Sequence, residues 1–181
     1  MLKIIVPEGE LFNSDTSEFY YIKEQTLLLE HSLVSISKWE SKWKKAFINP
    51  FEEKTIPETL DYIRCMTITK AVDPKVYKVL TKEVIEQVNS YIEDPMTATT
   101  FSEINEPPSR KIVTAEEIYY WMVALGIPFE CEKWHLNKLL TLIKICSIKN
   151  QSNDKKLSGR KLINSNRALN EARKAKLGTK G

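Results

Sequence analysis

The hydrophobic pattern is most regular in the second half of the chain, where it predicts two consecutive helices. Ile118, Met122 and Leu125 recur at spacings of four and three residues, which places them on one face of the first helix. Thr114 lies where its hydroxyl can cap the first turn as part of a capping box. Gly126 can adopt the left-handed backbone conformation that commonly ends a helix. The pattern therefore predicts a helix that starts after Thr114 and stops at Gly126.

The second of these helices is expected to begin near Glu130, where acidic side chains suit the positive end of the helix dipole. Its apolar residues occupy most of the circumference, and they are Trp134, Leu136, Leu139, Leu140, Leu142, Ile143 and Ile145. A helix that is apolar on so many sides is buried by more than one neighbour, inside the domain or at a subunit interface. We therefore expect a helical core built around residues 114–148.

The N-terminal part of the chain has a different pattern, with short apolar runs of strand length. The runs cover residues 2–6, 19–22 and 26–30 and are separated by turn-forming residues. Helical periodicity then returns in three segments, which begin at Ser32, Thr55 and Thr81. The predicted fold class is therefore α+β, mainly α with a small N-terminal β-hairpin or meander.

Two tryptophans, Trp39 and Trp43, lie four residues apart in the segment that begins at Ser32. This spacing places both indoles on one face of a helix that extends to Phe47. Core packing alone would account for the spacing. The alternative is an aromatic surface that grips a partner protein, because tryptophan is enriched where proteins bind each other tightly. The sequence leaves both interpretations open.

Charge divides the 181 residues into two parts. The net charge is +3, but residues 151–181 contain nine Lys or Arg residues against two acids, which is +7 and leaves −4 for residues 1–150. The pattern predicts a compact, mostly helical α+β domain over residues 1–150. It predicts that residues 151–181 form a basic linker and a helix that orders only on a partner, since their apolar content is thin.

Residue types that carry catalysis or bind cofactors are sparse in this sequence. The five glycines lack the spacing of a phosphate-binding loop or a dinucleotide fingerprint. Cys131 and His135 have a spacing that could present two zinc ligands on one helical face, but a buried thiol and a hydrogen-bonded imidazole explain the same residues. We therefore predict no catalytic residue, no metal site and no cofactor, and the chain is not expected to be an enzyme. An odd number of cysteines and the lack of a long apolar run predict a reducing compartment and no membrane span.

Two helices joined by a short turn are also typical of a helix-turn-helix, which is the alternative from the nucleic-acid-binding class. Its recognition helix would begin with Glu130 and Glu132, whose charges repel phosphates. Nucleic-acid binding is therefore the weaker interpretation, with the basic residues 151–181 as its only support.

Five strings of the sequence together resemble a family of small proteins from tailed bacteriophages and prophages. The strings are HSLVSISKWESKW, LDYIRCMTIT, DPMTATT, TAEEIYYWMVALGIPFECEKWHLNKLLTLIKICSIKN and ALNEARKAKLGTKG. The resemblance spans nearly the whole chain. It implies a role in tail morphogenesis near the tape measure protein, where tail assembly chaperones act.

A tail assembly chaperone would bind the tape measure protein, the tail tube subunits or both during morphogenesis in the host cytoplasm. The resemblance implies exposed apolar area that shields the apolar stripes of the tape measure protein, self-association, and a positively charged segment that contacts acidic surface. The expected partner-binding residues are three tryptophans and five cations, namely Trp39, Trp43, Trp134, Arg160, Lys161, Arg167, Arg173 and Lys174. The alternative in the same setting is a structural tail or neck protein of the virion.

Overall fold

The computed structural model describes residues 1–13, 17–99 and 111–150 of the chain. Contacts group Met1–Thr141 into one compact unit, and a second unit begins at Leu142. Within the described residues, no helix is both long enough and apolar enough to cross a bilayer.

The N-terminal strands form one long antiparallel hairpin. The strands are β1 Leu2–Val6, β2 Gly9–Asn13, β3 Glu18–Ile22 and β4 Gln25–Leu29. β1 pairs with β4, and β2 pairs with β3. In every facing pair of both regions, the two sequence positions sum to 31, as for Leu2 with Leu29 and Gly9 with Ile22. The two paired regions therefore continue one register. Pro7, which has no N–H to donate, lies where the pairing is interrupted.

Helices make up most of the remaining described residues. The α-helices are α1 Leu33–Trp43, α2 Ile56–Met66, α3 Lys82–Glu93, α4 Ala115–Ala124 and α5 over residues 136–150. Two 3₁₀ helices, Pro74–Lys78 and Phe129–Lys133, precede α3 and α5. Together with the hairpin, this content confirms the predicted α+β, mainly helical fold class.

α1 and α2 pack against each other in the core. Ser32 caps α1 through a capping box with Ser35, which fixes where the helix begins. Leu33 and Ile36 on the inner face of α1, and Ile63 on α2, are at most 1% exposed. Burial of these side chains stabilises the pair and sets the position of the outer face of α2.

The segment after α2 covers the open edge of β4. The Glu30 N–H donates to the Met66 carbonyl at 2.9 Å, and the Ile68 N–H donates to the Leu28 carbonyl at 2.8 Å. The Leu28 N–H donates to the Thr69 hydroxyl at 2.9 Å. These bonds satisfy backbone groups that an edge strand would otherwise expose, and they fix the C-terminal end of α2 to the hairpin.

α1 is shorter than the pattern predicts. It ends at Trp43 rather than at Phe47, because Lys44 adopts the left-handed conformation with φ 57°. The Glu40 carboxylate then accepts the Phe47 N–H at 2.7 Å and the Ala115 N–H at 2.8 Å. These two bonds hold the residues after α1 against the first turn of α4.

α4 ends at the predicted glycine. Gly126 has φ 65°, and its N–H donates to the Val123 carbonyl at 3.2 Å. The Ile127 N–H donates to the Met122 carbonyl at 2.8 Å. This is the Schellman arrangement, in which a left-handed residue lets the chain satisfy the last carbonyls of a helix.

The predicted start of α5 near Glu130 is wrong. Phe129–Lys133 form a 3₁₀ helix, and α5 begins only at residue 136. The Leu136 N–H donates to the His31 carbonyl at 2.7 Å, so the chain entering α5 pairs with the chain entering α1. Tertiary hydrogen bonding therefore overrides the local helical pattern at this point.

The late start of α5 affects two interpretations of the sequence. Cys131 lies in the 3₁₀ helix and His135 in an isolated bridge to Ser32, so they do not share one helical face. Leu136, the first residue of α5, is 3% exposed. α4 ends at Ala124 and α5 begins at residue 136, so these two helices are not joined by the short turn of a helix-turn-helix.

Candidate functional site

A surface groove lies between the C-terminal end of α1, the outer face of α2 and the 3₁₀ helix Pro74–Lys78. Its volume is about 610 Å³, which is enough to receive several side chains. The residues that line it are Lys42, Trp43, Ile56, Pro57, Leu60, Asp61, Arg64, Pro74, Tyr77 and Lys78. We call this surface the α1–α2 groove.

Much of the groove wall is apolar. Ile56, the first residue of α2, is 75% exposed, while Trp43 is half-buried. The capping box of α2, in which the Glu58 carboxylate accepts the Thr55 N–H at 2.8 Å, fixes the turn that carries Ile56. The exposed isoleucine therefore lies on a hydrogen-bonded first turn of α2.

Asp61 lies in the groove, and its carboxylate accepts hydrogen bonds from three neighbouring side chains. Its carboxylate accepts hydrogen bonds from Lys42 Nζ at 2.7 Å, from the Trp43 indole N–H at 2.8 Å and from Arg64 Nε at 2.9 Å. Burial by itself would raise the pKa of Asp61, but these three donors outweigh it and hold that pKa below its ordinary value. Asp61 is thus an ionised anchor for the cations around it.

Three cations surround the apolar wall. The Lys42 and Arg64 side chains are 51% and 47% exposed, and Lys78 is exposed as well. An ammonium has three N–H donors and a guanidinium has five, so the bonds to Asp61 use only part of their capacity. The groove therefore combines apolar surface with a net positive charge.

A second apolar surface lies on the distal part of the hairpin. Phe12 and Phe19 face each other across β2 and β3, with ring centroids 5.0 Å apart. Tyr21 lies on the same face of the hairpin, and all three rings are more than half exposed. We call these three residues the hairpin face. On the opposite face, the Lys75 ammonium lies 3.4 Å from the centroid of the Tyr20 ring.

The predicted partner-binding tryptophans lie in three different environments. Trp39 is 1% exposed and donates its indole N–H to the Glu58 carbonyl at 2.9 Å, so it packs in the core and offers no area to a partner. Trp43 lines the α1–α2 groove. Trp134 is 39% exposed, and the Lys138 ammonium lies 4.7 Å from its ring centroid. The predicted cations lie outside the described residues, and they are Arg160, Lys161, Arg167, Arg173 and Lys174.

Two histidines that are far apart in the sequence meet in the core. The rings of His31 and His135 have centroids 5.0 Å apart, and His31 Nδ1 lies 2.5 Å from the Tyr62 hydroxyl. Burial, with a smaller contribution from the charge of His135, lowers the pKa of His31 to about 3. Burial raises the pKa of the Tyr62 hydroxyl. His31 and the Tyr62 hydroxyl are therefore uncharged at pH 7 and lie in the core.

The described residues hold few groups suited to metal binding or nucleophilic attack. In residues 1–13, 17–99 and 111–150, no group of three or more His, Cys, Asp or Glu side chains could hold a metal ion. Cys131 is buried. Burial also raises the pKa of the Cys65 thiol, which keeps it in its weakly nucleophilic protonated form.

Sequence reasoning missed the α1–α2 groove. Ile56 and Leu60 are four residues apart and continue the apolar side of α2 past its buried residues Tyr62 and Ile63, so the sequence could have indicated that this side is wider than one packing contact needs. The third wall, Pro74–Lys78, comes from a segment whose position depends on tertiary packing. No pattern within α1 or α2 predicts that this segment lies beside them.

No family model, curated protein or solved structure matches the chain. The geometry of the α1–α2 groove and the residue strings quoted above are therefore what bears on function.

Proposed function

We propose that this protein is a tail assembly chaperone of a tailed bacteriophage, and that its α1–α2 groove binds the tape measure protein during morphogenesis in the host cytoplasm. The observation that carries the proposal is the apolar wall of the groove, where Ile56 is 75% exposed beside Trp43. Covering such a surface with an apolar client is favourable, because both surfaces leave water. The resemblance of the sequence to phage tail morphogenesis proteins suggests which client this is.

The polar groups near the groove support binding rather than turnover of a substrate. Among the residues that line it, Asp61 is the one carboxylate, and three donors already occupy it. The buried histidine pair lies in the core, where His31 is 2% exposed. A general base must reach its substrate within hydrogen-bonding distance, which a side chain buried to this extent does not do.

Co-expression with the tape measure protein encoded by the same phage tests the proposal. We expect more of the tape measure protein in the soluble fraction, and we expect to recover it in complex with this chain. A chaperone should also be absent from purified virions, whereas a structural tail or neck protein would be present at fixed stoichiometry. An insoluble tape measure protein with no recovered complex would contradict the proposal.

The substitution Ile56→Ser tests whether the groove is the binding surface. An isoleucine that becomes covered only on binding contributes to affinity, so we expect roughly tenfold weaker binding of the tape measure protein. Stability of the free chain should change by less than about 0.5 kcal/mol, because the side chain is exposed. The matched control is Ile68→Ser, since Ile68 is 54% exposed and does not line the groove. Equal loss of binding in both variants would place the client elsewhere.

A further inference from the structure

We infer that the segment that occupies the α1–α2 groove is an amphipathic helix with carboxylates beside its apolar side chains. This inference rests on the proposed function, because it specifies the chemistry of the client at the same groove. It is carried by two features of the groove, the balance of its charges and the row of side chains along α2.

The charges of the groove favour an acidic occupant. Lys42, Arg64 and Lys78 face a single carboxylate, Asp61, which two of these cations already contact. Adding a carboxylate from a client would use donors that Lys42 and Arg64 still have available. Charge-assisted hydrogen bonds of this type are stronger than neutral ones, and an Arg–carboxylate pair is directional as well. A basic client would be repelled by the same groups.

The order of the side chains favours a helical occupant. Ile56, Leu60 and Arg64 are spaced by four along α2 and line the groove together. This row is about 12 Å long, because α2 rises about 1.5 Å per residue. Two turns of a client helix cover a similar length and present apolar side chains at spacings of three and four. A carboxylate one turn beyond the apolar contacts would then reach Arg64.

The basic C-terminal residues of this chain fit the groove poorly as an occupant. Residues 151–181 carry a net charge of +7, the same sign as the groove. Like charges placed against each other weaken association. A partner protein that is acidic next to its apolar residues is the occupant that these charges favour.

Two synthetic helical peptides with the same leucine spacing test the inference on the full chain. One carries glutamate at the positions that flank the leucines, and the other carries lysine at those positions. We expect the glutamate peptide to bind more tightly, and its affinity to fall between about 0.05 M and about 0.5 M salt as the charges are screened. We expect Lys78→Glu to weaken binding of the glutamate peptide about fivefold. Arg64→Gln should also weaken binding and flatten its salt dependence.

The control is Lys3→Glu, which makes the same charge change on the exposed face of β1 and should leave affinity unchanged. Circular dichroism and the urea midpoint of each variant establish that its fold is intact. Equal affinity for both peptides, or no binding of either, would overturn the inference. Concentration-dependent self-association that is abolished by Lys78→Glu would also overturn the inference, because the occupant of the groove would then be a second copy of this chain.

The same variants separate this inference from the proposed function. If Ile56→Ser weakens capture of the tape measure protein and Lys78→Glu leaves that capture unchanged, the chaperone role is retained and the acidic client is rejected. Tight, charge-dependent binding of the glutamate peptide without capture of the tape measure protein would retain the acidic client and reject the chaperone role.

Discussion

His31 shows how burial of one side chain makes stability depend on pH. Its pKa is about 3 in the folded protein, against an ordinary value of 6.5. Between pH 6.5 and pH 3, His31 is protonated in the unfolded chain and remains neutral in the folded chain. The stabilisation that neutral His31 gives the folded protein is therefore fully present above pH 6.5. As pH falls toward 3, the free energy of unfolding decreases by about 1.4 kcal/mol per pH unit.

Urea unfolding between about pH 7 and about pH 5 tests this dependence. We expect the free energy of unfolding of the wild type to fall more steeply with decreasing pH than that of His31→Gln, which has no titrating group at this position. Carboxylates titrate in both proteins, so their effect cancels in the comparison. Parallel pH profiles would show that the core does not exclude the proton from His31.

At the scale of single elements, Gly126 determines how α4 ends. Its φ of 65° lies in the left-handed region, and a methyl group added there would meet no atom within 4 Å. Gly126→Ala should therefore destabilise the protein by about 1 kcal/mol through the backbone alone. Gly126→Asn should recover part of this loss, because asparagine tolerates the left-handed region better. Urea midpoints measure both changes.

Gly9→Ala is the matched control for this prediction. Gly9 lies in β2, and a methyl group there would approach Val79 at 3.6 Å, which is an ordinary contact. Its substitution should leave stability nearly unchanged. If both alanine variants lost the same stability, glycine content rather than the left-handed turn would be the cause.

The elements also show which parts of the fold the sequence could predict. The Thr114 hydroxyl cap and the stop at Gly126 were predictable, because both depend on chemistry within a few residues. The predicted capping box is formed in half only, since the Glu117 carboxylate accepts from Lys111 Nζ at 2.8 Å. The start of α5 was not, since the backbone of His31, more than a hundred residues earlier, determines it. Of the candidate site, Trp43 was identified from its spacing, while Arg64 and Lys78 are brought beside it by the packing of α2 and of the 3₁₀ helix Pro74–Lys78.

At the scale of the whole molecule, Glu40 joins parts of the chain that are distant in sequence. Its carboxylate accepts the N–H groups of Phe47 and Ala115, and burial raises its pKa. Glu40→Ala would leave both donors without an acceptor, at a cost of about 2–4 kcal/mol. Glu40→Gln retains one acceptor oxygen and should lose less. Chemical denaturation of the two variants tests the order, and equal losses would show that these bonds do not determine the effect.

The α1–α2 groove and the hairpin face differ in the charge that accompanies their apolar residues. The α1–α2 groove is flanked by Lys42, Arg64 and Lys78. On the hairpin face, Glu10 pairs with Tyr21 across the strands, and the Tyr21 hydroxyl is hydrogen-bonded to Glu8. The groove is therefore a cationic apolar surface and the hairpin face an acidic one, and the two are suited to different contacts.

The constant pairing register of the hairpin limits how its length can vary. Side chains alternate between the two faces of a strand. Deleting one residue from a strand would shift its pairing with the neighbouring strand by one position and turn the shifted side chains to the opposite face. In β1 that slip would carry Ile4, now 1% exposed, toward solvent. Removing one residue from each strand next to the tip would keep every remaining pair. Deletions that the paired strands tolerate should accordingly remove one residue from each strand of a facing pair, which circular dichroism and urea midpoints of single and paired deletions would show.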